Sequence, residues 1–281
     1  MKKFLFSGFT DEFAPEFDRQ VAAAKEFGMD MLELRGADSI NVGAMTIQQV
    51  EGYAAKLRDA GIGVSAVGSP LGKVKLDSDL DAHMETVRKI CEFANILGTE
   101  NIRMFSFYSP EGKSIRDCKN EVIDALGRML DIADSFGVTM CHENEGEIYG
   151  ERPHQCMELL EAFGGRLKCV YDMGNYVLQQ EDAWEGYQLQ RPYIRYFHIK
   201  DALAKGAIVP PGKGEGQIAR ILKDFAQDHQ QVLFTLEPHL QTFDGLNALV
   251  TNKTFKNPYQ FPNCEAAFAE AVKCMKELIE L

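Results

Sequence analysis

The feature that most constrains this chain is a rhythm. Short β-branched or aromatic runs alternate with longer amphipathic stretches about eight times from end to end. The strand-like runs fall at 4–9, 31–34, 64–67, 102–107, 138–142, 167–171, 194–199 and 232–236. Helical patterns fill 17–27, 46–60, 77–97, 116–136, 154–163, 183–189, 218–227 and 264–281. Gly28, Gly61, Gly98 and Gly137 stand just past four of these helices, where a left-handed residue ends a helix. Strands alternating with helices imply parallel strands joined by right-handed crossovers. Eight such units, with no Gly-x-Gly-x-x-Gly after the first strand, point to a (β/α)8 TIM barrel rather than a doubly wound open sheet. The 281 residues exceed the roughly 250 of a typical barrel, and no linker or low-complexity segment divides them, so one domain over 1–281 is expected. Two stretches, 200–217 and 240–263, are longer than ordinary connections and read as lids over a site.

Composition narrows the partners. The 45% hydrophobic content suits a full core, and 30 basic against 42 acidic residues give a net charge of -12. That field disfavours nucleic acid and anionic membrane surfaces. Seven dispersed cysteines without a Cys-x-x-Cys pair suit free thiols. The apolar start breaks at Gly8 and ends in Thr10-Asp11-Glu12, too short for a secretory signal. A soluble, cytoplasmic protein is the expectation.

In a barrel of this kind chemistry belongs to the C-terminal ends of the strands. The fifth to eighth strands end in Cys141-His142-Glu143-Asn144, Tyr171-Asp172-Met173-Gly174-Asn175, Phe197-His198-Ile199-Lys200-Asp201 and Leu236-Glu237-Pro238-His239. Four consecutive strands thus bring carboxylate, carboxylate, imidazole and carboxylate to one rim, each about one βα unit apart. Three carboxylates aimed at one cavity repel one another and lose solvation unless a cation joins them. One divalent metal ion resolves this; an oxygen-rich set with one imidazole suits Mn²⁺, Mg²⁺ or Co²⁺, and Zn²⁺ is compatible.

With these motifs in place, the chain resembles the xylose-isomerase-like TIM barrel superfamily of sugar phosphate isomerases and epimerases over essentially its whole length. Glu-Asn after the fifth strand, Asp-x-Gly-Asn after the sixth, His-x-Lys-Asp after the seventh and Glu at the end of the eighth carry the resemblance. Gly68-Ser69-Pro70-Leu71-Gly72-Lys73 adds to it. The resemblance implies Glu143, Asp172, His198 and Glu237 as metal ligands. It further implies a ketose 3-epimerase-like reaction on a small sugar or polyol, in which the metal stabilises an enediolate while Glu143 and Glu237 exchange protons from opposite faces. The same ligands allow an inosose-type dehydratase or a hydroxypyruvate-type isomerase. An endonuclease IV-like nuclease needs more histidines than the six present and a basic face. The resemblance also implies a homo-oligomer, dimer or tetramer.

The chain departs from the family pattern at Asn175, where many members carry histidine, and in offering no arginine among residues 202–204. Asn175 can bind a substrate hydroxyl but cannot exchange protons. Period-two alternation places Lys200 on the side of His198, and His239 on the side of Glu237, so both join the expected substrate contacts. His239 also suits a second metal. Lys73, in a glycine-containing strand-end loop, suits an anion or substrate oxygen. Glu33 could buttress a ligand or pair with Arg35, and Glu145 reads as exposed. The glycine-rich run 211–216 follows the seventh strand, a usual phosphate-binding place in this fold, but reads chiefly as a flexible rim loop.

Overall fold

The computed structural model of the protein describes residues 3–241 and 259–280. Eight parallel strands form the centre: β1 (Phe4–Gly8), β2 (Met31–Leu34), β3 (Gly63–Gly68), β4 (Asn101–Met104), β5 (Thr139–Glu143), β6 (Lys168–Asp172), β7 (Ile194–Ile199) and β8 (Val232–Leu236). They are hydrogen-bonded in the order β1-β8-β7-β6-β5-β4-β3-β2. At the remaining seam the Asp30 amide donates to Phe6 O, and the Phe6 amide donates to the Asp30 carboxylate. Around the strands lie α1 (Phe17–Glu26), α2 (Ile47–Ala60), α3 (Leu80–Leu97), α4 (Lys119–Phe136), α5 (Pro153–Ala162), a short α6 (Met173–Leu178), α7 (Ala183–Gln190), α8 (Ile218–Asp228) and α9 (Cys264–Ile279). The chain is therefore the TIM barrel that the alternation implied.

Local chemistry sets the helix ends. Thr46 and Gln49 form a reciprocal capping box at the start of α2. Gly61, Gly98 and Gly137 take left-handed φ values of 69°, 72° and 69° at the ends of α2, α3 and α4, as their position in the sequence suggested. Strand alternation then divides the side chains. Leu32, Val67, Ile102, Met140, Phe197 and Phe234 are buried in the main core, whereas Ala66, Cys141, Val170 and Tyr196 form a separate small cluster. Cys141, Val170 and Tyr196 each precede a proposed ligand by two residues, so the ligands form the next layer above this apolar plug.

Two register shifts tune that layer. Leu32 pairs with Val64 but Glu33 with Ala66, and Cys169 pairs with Ile194 but Val170 with Tyr196. The extra residues, Ser65 and Arg195, act as bulges of the kind that re-aim side chains beside active sites. As a result Asp172 lies directly beside His198.

The stretch 200–217 departs from expectation. It opens with an antiparallel hairpin, Asp201–Leu203 against Ala207–Val209, and the glycine run after it is pinned from within. The amides of Gly212, Gly214 and Gly216 donate to the Asp201 carboxylate at 2.8, 2.9 and 2.9 Å. This buried internal anion already takes the amides that a phosphate would use. Of the second expected lid, 240–263, residues 242–258 lie outside the described residues. A further hairpin, Gly36–Ala37 with Ile40–Asn41, follows β2. No disulfide joins any of the seven cysteines, and among the described residues no helix is long and apolar enough to cross a membrane.

Candidate metal centre

The four strand-end residues meet. Glu143, Asp172, His198 and Glu237 are all buried, and one ligand atom from each lies within 4.8 Å of the others. The imidazole is the pivot. His198 Nδ1 faces Glu143 Oε1 at 2.8 Å and Glu237 Oε2 at 3.3 Å, while Nε2 faces Glu33 Oε2 at 3.1 Å. Tyr196 donates its hydroxyl to the other Glu33 oxygen at 3.0 Å. A carboxylate behind one ring nitrogen fixes the proton there and leaves the other nitrogen for a metal. Glu33 thus backs His198, one of the two roles open to it.

The motifs explain their own residues. Asn144 takes the Asp172 amide on its side-chain oxygen at 3.0 Å and donates its amide to Asp172 O at 2.9 Å, locking β5 to β6. Asp172 caps α6 by accepting the Asn175 amide at 2.9 Å. Asn175 in turn donates to Asn144 O at 2.9 Å. Between Asp172 and Asn175 the backbone passes so close to the next strand end that a Cβ on Gly174 would lie 2.6 Å from Lys200 O. The glycine of Asp-x-Gly-Asn is a packing requirement.

Lys200 is buried and donates to Asp172 Oδ2 at 2.9 Å, Asn175 Oδ1 at 3.1 Å and Glu237 Oε2 at 3.3 Å. The side-chain atoms of Asn175 are therefore engaged within the protein, and Lys200 acts directly on two of the clustered carboxylates. His239 is buried beside Glu237 and Glu12, at 3.3 and 3.4 Å. Lys73 lies nearer the mouth, its ammonium 4.2 Å above the Phe105 ring and 3.3 Å from Glu145 Oε2. Glu145 is thus half-buried and paired, not exposed.

Two arginines were not singled out as site residues. Arg103, buried on β4, donates to Glu143 Oε2 and to Gly68 O, both at 2.9 Å. Arg35, just past β2, donates to Glu237 Oε1 at 2.8 Å, to both oxygens of Asp11 at 2.9 Å and to Glu12 Oε1 at 3.2 Å. A signal for Arg103 was available: a charge in the middle of the apolar run 102–107 points inward by alternation. Nothing near Glu12 in the sequence marks it, since it reaches the site by a turn after β1.

These cations change the charge argument without removing it. Six carboxylates, Asp11, Glu12, Glu33, Glu143, Asp172 and Glu237, face three buried cations, Arg35, Arg103 and Lys200. Counted as fully ionised, the acids exceed these cations by three, a surplus that a divalent ion would offset; in its place, burial keeps Glu12 protonated and the acids draw a proton onto His198. Burial and the neighbouring acids leave their marks on titration. Burial pushes Glu143 up, but His198 and Arg103 outweigh it and hold the carboxyl below its usual range. Glu237 is held well below for a similar reason, with Lys200 and His239 outweighing burial. Burial raises Asp172 against the pull of Lys200 and raises Glu12 to about 8 against the pull of Arg35. Burial opposes charge on His198 too, but Glu143 and Glu33 overcome it and shift the ring upward; a metal at Nδ1 would relieve the same carboxylates.

The family model that matches residues 21–280 is that of the xylose isomerase-like TIM barrel. No curated protein sequence matches the chain. Among solved structures, the probable 3-DHS dehydratase AsbF from Bacillus anthracis is similar at 18% identity and a TM-score of 0.73, covering 98% of this chain and 99% of that one. The IOLI protein with a bound zinc atom is similar at 15% identity and 0.74, over 99% and 98% of the two chains. D-allulose 3-epimerase from Methylomonas sp., solved with D-allulose, gives 15% and 0.74, over 100% and 98%. At such identities these structures speak for the fold, whereas the family model spans nearly the whole barrel, including the strands that end in Glu143, Asp172, His198 and Glu237. The chain belongs to the xylose isomerase-like TIM barrel family.

Proposed function

We propose that the protein is a divalent-metal-dependent isomerase or epimerase acting on a ketose or related small polyol. One observation carries the reading: His198 turns Nδ1 into a set of three buried carboxylates while Glu33 holds its Nε2. Glu143, Asp172, His198 and Glu237 would hold the ion, for which Mn²⁺, Mg²⁺, Co²⁺ and Zn²⁺ are the candidates. When bound, the ion supplies Lewis-acid stabilisation of negative charge on a substrate oxygen and so acidifies the adjacent C–H.

The chain's own residues divide the remaining work. Glu143 and Glu237 converge from β5 and β8, each fixed by a guanidinium, Arg103 and Arg35 respectively. Neither carboxylate has to be ordered when substrate arrives. A carboxylate is too weak a base for an ordinary C–H, so each takes a proton only from a carbon that the ion has acidified. One removes that proton and the other returns one, which inverts the centre if both act at the same carbon. Lys200 and Asn175 hold Asp172, and Lys200 also holds Glu237. Lys73 with Glu145 offers a donor and an acceptor for substrate hydroxyls at the mouth.

Incubation of the metal-loaded protein with a panel of ketoses and cyclic ketones in D₂O tests the reading by NMR. Deuterium should enter next to the carbonyl, and Glu143→Gln and Glu237→Gln should each slow exchange by about 10²–10⁴-fold. Exchange that survives both substitutions, or no exchange with any substrate of the panel, overturns it.

A further inference from the structure

His239 and Glu12 take part in no step above, yet both are buried against Glu237. The ligand atoms of Glu12, Glu237 and His239 lie within 4.8 Å of one another, a second set of two carboxylates and an imidazole that shares Glu237 with the first. Glu237 turns one oxygen to each set: Oε2 to His198 and Lys200, Oε1 to Arg35 and His239. This is the posture of a carboxylate that bridges two cations.

In the second set the cation is Arg35. Nη1 is 2.8 Å from Glu237 Oε1 and 3.5 Å from His239 Nε2, and Nη2 is 3.2 Å from Glu12 Oε1. Nε and Nη2 grip the two oxygens of Asp11, and the Phe9 ring lies 4.1 Å beneath. A guanidinium held on all three nitrogens cannot swing aside for an ion. The backbone supports the same arrangement: His239 sits at φ 47°, in the left-handed region that few non-glycine residues adopt, and its amide donates to Glu12 Oε2 at 2.8 Å.

We propose that Arg35 is a fixed cation standing where a second divalent ion would otherwise bind, so that it positions Glu237 and keeps the centre mononuclear. The inference rests on the assignment of Glu143, Asp172, His198 and Glu237 as ligands of the first ion. A guanidinium neutralises charge as that ion would, but it has no open coordination position and is not a Lewis acid. Only one place in the site can then polarise a substrate oxygen, and Arg35 is a positioning residue.

Equilibrium dialysis against Mn²⁺ with electron paramagnetic resonance tests this on the full chain. The wild type should hold one Mn²⁺ per chain up to millimolar metal, and Arg35→Lys should do the same. Arg35→Met should hold two, with the spectrum of a coupled pair, and His239→Ala in that background should return the count to one. Should Arg35→Met fail to fold, Asp11→Asn with Arg35→Met removes one of the freed charges and should also hold two. A second ion in the wild type, or a folded Arg35→Met or double variant that holds only one, overturns the inference and leaves the first ligand set standing. A wild type that binds no Mn²⁺ instead overturns the ligand assignment and the inference with it.

Discussion

Replacing Glu33 should weaken metal binding although Glu33 touches no metal. Glu33 Oε2 accepts from His198 Nε2 at 3.1 Å, and Oε1 accepts from Tyr196 at 3.0 Å. Both contacts are fully buried, so neither is replaced by water at no cost. Partners of this kind behind a ligating histidine are worth about 10- to 100-fold in metal affinity, or roughly 1.4 to 2.7 kcal/mol. Glu33→Gln keeps an acceptor for the His198 N–H and loses the charge, so it should fall near 10-fold. Glu33→Ala strands both the imidazole N–H and the Tyr196 hydroxyl. It should reach or pass 100-fold and cost stability as well, by about 1–3 kcal/mol for each stranded group. Tyr196→Phe removes only the distal donor and should cost less than 10-fold. Chelator competition with Mn²⁺ or Zn²⁺ gives the affinities, and thermal melts of the metal-free proteins separate them from stability. Wild-type affinity in a folded Glu33→Ala would refute the argument, because His198 would then need no carboxylate behind it to present Nδ1.

Three more expectations follow from particular contacts. Arg103→Met leaves Glu143 buried without its guanidinium, a loss of about 3–5 kcal/mol; denaturant melts should show a larger loss in chelator than in Mn²⁺, and an equal loss would argue against a metal beside Glu143. Gly174→Ala forces a Cβ to within 2.6 Å of Lys200 O and should cost about 1–3 kcal/mol, with metal affinity falling as Asp172 shifts; unchanged melting and binding would contradict the close approach. His83 accepts the Gly72 amide on Nε2 at 3.1 Å, and burial lowers it from its ordinary value of 6.5. Its folded form therefore binds a proton less readily than the unfolded one. The stability it contributes is complete above pH 6.5 and declines as pH falls below that value. Melting temperatures between pH 7 and pH 5 should fall less steeply in His83→Gln, and an identical slope would exclude this role.

The fold was legible because it rests on repetition: alternation marks a strand eight times over, and a glycine stands just past four of the helices. The clustering of Glu143, Asp172, His198 and Glu237 was legible for the same reason, since strand ends are fixed by pattern and the fold puts strand ends together. What escaped lies where the chain turns. No helical pattern marks Asp172-Met173-Gly174-Asn175, yet Asp172 caps a short helix there, and the glycine answers to the close approach of Lys200 O. The run 211–216 reads as a mobile rim until Asp201, ten residues earlier, is seen to accept its amides. Arg35 and Glu12 contact Glu237 from more than 200 residues away in sequence, and no local pattern reports such a contact. Three unpaired carboxylates were the original reason to infer a cation; the buried Arg35, Arg103 and Lys200 show that the chain supplies part of that charge itself, and the surplus of acids is what still calls for a metal.

The most direct test is to see the ion. A crystal soaked in Zn²⁺ and measured at the zinc edge should show an anomalous peak bounded by Glu143, Asp172, His198 and Glu237, about 2.0–2.1 Å from the imidazole nitrogen. That nitrogen should be Nδ1, with Nε2 still on Glu33. A peak only at surface acids, coordination through Nε2, or no peak at saturating zinc would contradict the account.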